Sequence, residues 1–275
     1  MLIDAHVHLY PEEVLAERAR YIADDAWFRV LYEPANRRLS SPDELLASMT
    51  ETGIEQSVVA SFPWASQDLC EAHNRCFGRL VDPRLSRLCM VQPRAGARAA
   101  DELRRCLDAG FVGLGEINVD ALDAPLDQAE LWGPLVEILA EAGGTLMIHA
   151  SEPVGHQYRG KGVTTPEKIY RFAMAYPQLK IVAAHWGGGL PFYYLMPEMG
   201  PALPNLYFDS AATEYLYDKR VFDTCARFAG SDRVLFGSDF PLLTQERALE
   251  HARSAGLPAD APFFGANAAA VYKRP

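Results

Sequence analysis

Short apolar runs recur along the chain, and each gives way to a stretch with helical spacing. Runs at 2–9 (LIDAHVHL), 56–62 (QSVVASF), 85–92 (LSRLCMVQ), 111–118 (FVGLGEIN), 145–150 (TLMIHA), 180–186 (KIVAAHW), 205–210 (NLYFDS) and 233–239 (RVLFGSD) have the length and content of buried strands. The pattern between them predicts helices. Residues 41–53 carry a Ser cap, a Pro in the first turn and a final Gly. Helices at 99–110 and 126–144 also end in Gly, 164–177 opens on Thr-Thr-Pro, and 217–230 and 243–256 close the series. Strands alternating with helices in 275 residues predict a (β/α)8 TIM-like barrel, read as a single domain over 1–275. An open doubly wound sheet is the alternative. The longest interruption, 10–40, follows the first strand and carries Trp27, Phe28 and Tyr32. A βα loop of that length is expected to cover a pocket and supply an aromatic wall.

Strand alternation then locates the polar residues. In the first strand Asp4, His6 and His8 share one face, and Ile3, Ala5, Val7 and Leu9 share the other. With the apolar face against helices, the two imidazoles point into the barrel and can converge on one metal ion. Two hydrogen-bonded core histidines are the plainer alternative. Glu116, His149, His185 and Asp239 each follow an apolar run at the end of a predicted strand. In a barrel those ends meet at one rim, where active sites of this fold lie. Taken singly each has a structural reading; Glu116, for instance, could pair with Arg94. Together they need a cation, because buried charges require partners. Glu116 is expected as a direct ligand beside His6, His8 and Asp239. A second ion between Glu116, His149 and His185 is open to the same set.

Composition narrows the partners. A formal charge of −10 argues against nucleic acid or an anionic membrane and leaves a small-molecule substrate. Five cysteines, odd in number and without zinc-ribbon spacing, read as reduced thiols of a cytoplasmic protein. Neither a signal peptide nor a membrane span is expected. The glycines at 188–189 lack a following Lys-Ser/Thr, which argues against nucleotide binding. A homodimer remains open.

Four motifs in order carry a family resemblance: DAHVH at 4–8, the histidine ending strand five, AHWGG at 184–188 and GSDFP at 237–241. The chain resembles the amidohydrolase superfamily, and within it the amidohydrolase-2 group that includes aminocarboxymuconate-semialdehyde decarboxylase. FFGANAAAVY at 263–272, with Asn267, resembles that group's closing segment. The resemblance implies a distorted (β/α)8 barrel, a divalent metal (usually zinc) among His6, His8, His149 and Asp239, and His185 as a catalytic group. GEI at 115–117 departs from the decarboxylase pattern and looks like the TatD-type hydrolases, whose strand-four Glu bridges two metals. No lysine stands there, so a carbamylated-lysine bridge is excluded at that position. One ion or two are therefore expected.

The ligand set suggests metal-activated water, with Asp239 as proton acceptor and His185 stabilising developing charge. Hydrolysis of an amide, ester, lactone or similar carbonyl bond is the main expectation. Non-oxidative decarboxylation of a small carboxylated ring or enal is the alternative, and a non-catalytic metal protein a third reading. In loop five Glu152, His156, Tyr158, Arg159 and Lys161 are expected over the metal, with Tyr158 and Arg159 binding substrate. Trp186 is expected as an aromatic wall. His73 and His251 receive no role.

Overall fold

A computed structural model describes residues 1–273. Eight parallel strands run in chain order around a barrel: β1 (Ile3–His8), β2 (Gln56–Ala60), β3 (Leu85–Cys89), β4 (Gly113–Ile117), β5 (Thr145–Ile148), β6 (Lys180–Ala183), β7 (Leu206–Asp209) and β8 (Val234–Leu235). The open doubly wound alternative is thereby excluded. Closure between β8 and β1 runs through the chain just beyond β8. Ala5 N donates to Phe236 O at 2.7 Å, His8 N to Phe240 O at 2.7 Å and Asp239 N to His6 O at 3.0 Å. Among the described residues no helix is long and apolar enough to cross a membrane.

The strands stop earlier than the apolar runs predict. The run at 233–239 contributes only two residues of strand; the chain beyond it still pairs with β1 and turns sharply at Asp239 (φ 65°). His149, His185 and Asp239 therefore stand on the first turns beyond their strands. The register slips between Asp4 and Val7 in β1 and between Leu114 and Ile117 in β4, around His6 and Glu116. Such irregularities re-aim side chains.

The slip in β1 corrects the expectation that Asp4 shares a face with His6 and His8. Asp4 lies outside the barrel wall. Its carboxylate accepts from Ser238 N (2.9 Å), Ser238 Oγ (2.6 Å) and Gln245 Nε2 (2.8 Å). The barrel is filled instead by Ile3, Ala5, Val58, Ala60, Leu88, Met147, Val182 and Leu235. The helix Ala266–Val271 and Tyr272 close its N-terminal end, where Thr145 and Lys180, each opening its strand, donate to Val271 O.

Five of the six predicted helices keep their positions within three residues: Pro42–Thr52, Ala97–Asp108, Ala129–Glu141, Pro166–Ala175 and Gln245–Ser254. The sixth starts later, at Val221–Ala229. Ser41 caps its helix as expected, and in a capping box with Glu44; Gly53 ends that helix at φ 74°. The long helix Gln67–Gly78 was not foreseen. Its buried face carries Cys70, His73 and Asn74 beside Phe77, which masks the apolar stripe.

The segment 10–40 is not an open loop. It holds three short helices, Glu12–Ala16, Arg18–Asp24 and Ala26–Tyr32. Asp25 caps the third by accepting from Phe28 N at 2.8 Å. Phe28 is fully buried and stacks on Trp64 at 5.2 Å between ring centroids. Arg18 holds the end of the third helix: its Nε donates to Tyr32 O at 3.1 Å, Nη1 to Arg37 O at 2.9 Å and Nη2 to Pro34 O at 2.8 Å.

Candidate metal centre

Each inward-facing group is set by its local backbone. His6 and His8 turn inward at and just beyond the irregularity in β1. Glu116 follows Gly115, whose φ is +142° and where a Cβ would lie 2.6 Å from Met147 O, so only glycine fits beside it. His185 (φ 55°) and Asp239 (φ 65°) both sit in the left-handed region. For non-glycine residues that conformation typically costs about 1–3 kcal/mol, and such strain concentrates at functional sites.

The histidines present lone pairs to one carboxylate. His6 Nδ1–H donates to Asp209 Oδ2 at 2.9 Å, which leaves Nε2 as an acceptor. Nε2 faces His8 Nε2 at 3.1 Å, Glu116 Oε2 at 3.5 Å and Asp239 Oδ1 at 3.9 Å. His8 Nε2 lies 3.4 Å from Glu116 Oε2 and 3.5 Å from Asp239 Oδ1. On the other side, His149 gives Nε2–H to Gly160 O at 3.1 Å and His185 gives Nδ1–H to Ala211 O at 3.1 Å. Their remaining nitrogens face Glu116 Oε1, at 3.0 Å from His149 Nδ1 and 3.3 Å from His185 Nε2.

Outer N–H groups pinned on carbonyls or a carboxylate are the usual way metal-binding imidazoles are oriented. Acceptors facing acceptors demand a proton or a cation between them. Two donors about 2.1 Å from one ion lie roughly 3.0–3.4 Å apart, which matches most of these separations. Two such groups form among the described residues: His6, His8 and Asp239, and Glu116, His149 and His185. Glu116 offers one oxygen to each. The donor set therefore fits a divalent cation. Without one, protons fill the gap. Burial would lower the His6 pKa, but the carboxylates of Asp209 and Glu116 outweigh it and hold His6 well above its usual range. Burial likewise opposes His185, whose hydrogen bond to Glu116 prevails and raises it to about 9. Burial would raise Glu116, yet the surrounding histidines hold it well below the carboxylate range.

Above these groups opens a cavity of about 560 Å³. Trp27, Tyr32 and Phe62 contribute aromatic surface, and Arg37 and Arg38 stand at it. The segment 10–40 thus covers the rim, with Trp27 rather than buried Phe28 in the wall. Tyr158 and Arg159 also line the cavity. Tyr158 donates to Glu152 Oε2 at 3.0 Å, and Arg159 Nη1 ties loop five to Val30 O at 3.0 Å. Lys161 Nζ is taken up by the carbonyls of Val154 and His156.

Trp186 is a correction. It is fully buried, donates Nε1–H to Thr213 Oγ1 at 2.9 Å and packs on Phe222, so it is core and no wall. The left-handed backbone at 185–186 turns it away from the rim. The Glu116–Arg94 pair does not form either; Arg94 Nε lies 3.3 Å from Asp123 Oδ2. His73 is a core histidine, accepting from Trp64 Nε1 at 2.9 Å and held down to about 3 by burial. Sequence reasoning missed Asp209, which orients His6 and also accepts from His185 N at 3.0 Å. Its signal was available: in NLYFDS the carboxylate of Asp209 closes the apolar run Leu206–Phe208, much as Asp239 follows the run in RVLFGSD.

Residues 3–274 match the Amidohydro_2 family model, described as amidohydrolase. The chain belongs to the amidohydrolase family. This amidohydrolase is 24% identical over 297 residues to γ-resorcylate decarboxylase of Polaromonas sp. (strain JS666), covering 88% of this chain and 89% of that one. Its fold matches 5-carboxyvanillate decarboxylase LigW from Sphingomonas paucimobilis at a TM-score of 0.76 and 22% identity, over 100% of this chain and 99% of the other. A dihydroxybenzoic acid decarboxylase from Polaromonas sp. JS666, solved with bound manganese and the inhibitor 2-nitroresorcinol, aligns at a TM-score of 0.69 and 19% identity, over 98% and 96%. The enzyme is thus of the amidohydrolase superfamily.

Proposed function

We propose that this amidohydrolase is a metal-dependent, non-oxidative decarboxylase of a small aromatic acid. The observation that carries the reading is the carboxylate–imidazole cluster at the floor of an aromatic-walled cavity of about 560 Å³, ample for a single-ring acid. The named relatives, all decarboxylases, support it over the hydrolysis that the sequence favoured. His6, His8, Asp239 and Glu116 would hold the metal, and Glu116 with His149 and His185 would have the donors for a second ion. Manganese, the ion named for one relative, comes ahead of the zinc expected from the sequence. Hydrolysis keeps one point in its favour: a carboxylate shared between two metal sites suits water activation.

A bound divalent ion supplies positive charge that draws the acid's oxygens to the cavity floor. The side chains do the rest. Trp27 and Phe62 hold the ring and exclude water. Asp239, having taken a proton from solvent before the ring fills the cavity, delivers it to the ring carbon that bears the carboxylate. A ring π pair forms the new C–H bond. The C–C bond then breaks, its electron pair restores the π system, and CO2 leaves. His185 steadies the departing carboxylate through Nε2–H when protonated.

The test is direct. The protein is purified metal-free, loaded with manganese or zinc, and given hydroxybenzoates on one side and esters, amides and lactones on the other. CO2 release with the ring acids is expected. Acid release from the second panel, with none from the first, overturns the reading.

A further inference from the structure

Two phenols at the cavity hold a proton that no protein group receives. Tyr10 follows His8 on the same side of the chain, two residues on, and Tyr32 ends the helix Ala26–Tyr32 that closes over it. Their hydroxyl oxygens are 2.5 Å apart, and both residues line the cavity above the metal cluster. Phenols are protonated at neutral pH, so the pair carries two hydrogens. Their mutual bond uses one. Among the described residues neither hydroxyl has another hydrogen-bond partner.

Exposure decides which oxygen keeps the free proton. Tyr10 is 1% exposed, whereas Tyr32 is only partly buried. Either hydroxyl can donate to the other; on this difference we assign Tyr10 as the donor to Tyr32, with the Tyr32 O–H turned to the cavity. Donating chains of this kind polarise the outer hydroxyl. Tyr32 is also fixed in place. Arg18 binds its carbonyl oxygen through Nε and Nη2, and Phe28 packs on its ring at 4.7 Å.

We propose that the Tyr10–Tyr32 pair is a one-proton donor to an anionic oxygen of the bound acid, with Tyr32 giving the hydrogen bond and Tyr10 polarising it. The proposal rests on the reading of the cavity as an aromatic-acid site. It makes Tyr32 a determinant of which ring acids bind: those with a carboxylate or phenolate oxygen reaching the pair are retained, and neutral rings are not.

Binding of 2,6-dihydroxybenzoate, benzoate and acetate to the manganese-loaded protein is measured by calorimetry, beside kcat and KM for CO2 release. Tyr32→Phe is expected to weaken 2,6-dihydroxybenzoate about 10–100-fold, the range for a hydrogen bond to a charged group. KM rises by a similar factor, kcat changes little, and metal content and Tm stay at parent values, which a merely structural role would not produce. Tyr10→Phe removes the polarising bond but leaves the Tyr32 O–H in place, and weakens binding less than about tenfold. Tyr32→Gln, which keeps an N–H donor, recovers part of the affinity. Parent-like binding by Tyr32→Phe, or a larger loss in Tyr10→Phe than in Tyr32→Phe, overturns the proposal. The Tyr10→Phe arm decides the order of the pair even where Tyr32→Phe does not fold, since a loss above about 30-fold there contradicts it. CO2 release with an unaffected Tyr32→Phe sinks the donor and spares the decarboxylase. Acid binding that depends on Tyr32, without CO2 release, does the reverse. No binding of any acid by the parent sinks both.

Discussion

At the residue scale the centre is a problem in lone pairs. His6, His149 and His185 have their outer N–H groups occupied, by Asp209, Gly160 and Ala211, so their inner nitrogens have only a proton or a metal to take. Glu116 stands between them and gives one oxygen to each side. Glu116→Gln keeps the shape but replaces one oxygen with an N–H2 donor that repels an ion. We expect bound metal per chain, measured by elemental analysis, to fall in Glu116→Gln; unchanged occupancy would make Glu116 a structural residue. Asp239 carries the proton in the proposed reaction. Asp239→Asn is expected to lower kcat by about 10²–10⁴-fold, more than it changes KM, in steady-state assays on any ring acid the parent decarboxylates. Near-normal turnover would remove Asp239 from the chemistry.

At the scale of elements, the segment 10–40 shows how a cover is built without a domain of its own. Three short helices, too short to stand alone, are held by what they touch. Phe28 anchors them in an aromatic cluster with Trp64 and Tyr21, and Arg18 gathers the carbonyls of Tyr32, Pro34 and Arg37. Arg18→Gln removes most of those donors and leaves carbonyls unsatisfied. Limited proteolysis should then cut within 33–38 faster than in the parent, with affinity for ring acids lowered and metal content unchanged. Equal cleavage rates would show that the aromatic anchor alone holds the cover. At this scale the sequence was partly legible. The Ser41 cap and the Gly after Thr52 were readable because they act within one turn. The three helices of 10–40 were not, since their order comes from Trp64, Phe62 and Arg159, which lie far along the chain.

At the scale of the whole molecule, the barrel turns scattered charges into one titrating unit whose stability depends on pH and metal together. In the metal-free protein His6 and His185 bind protons more tightly folded than unfolded. Their contribution is therefore complete below an unfolded pKa near 6.5 and is lost as pH rises toward the folded value of about 9 for His185. Each group that releases its proton over that window lowers stability by up to about 1.4 kcal/mol per pH unit. A divalent ion held by the same nitrogens would replace those protons. Urea unfolding of the metal-free protein should show stability falling between pH 6.5 and 9, and the metal-loaded protein should lose that slope. A slope unaffected by metal would mean that these imidazoles are not ligands.

The sequence by itself determined the alternation of strands and helices, and with it the barrel, because a period of two and a period of 3.6 are written in neighbouring residues. It also determined the chemistry at the rim. His6, His8, Glu116, His149, His185 and Asp239 each end an apolar run, and a parallel barrel brings all such ends to one side. Only the tertiary structure decided which atoms meet. The bulge in β1 that sends Asp4 outward while His6 and His8 turn in depends on pairing with β2 and with the chain after β8. The left-handed turn at His185 that buries Trp186, the grip of Asp209 on His6 and the facing hydroxyls of Tyr10 and Tyr32 join residues through space. No local pattern records them, because hydrogen bonds between distant residues leave no period in the chain.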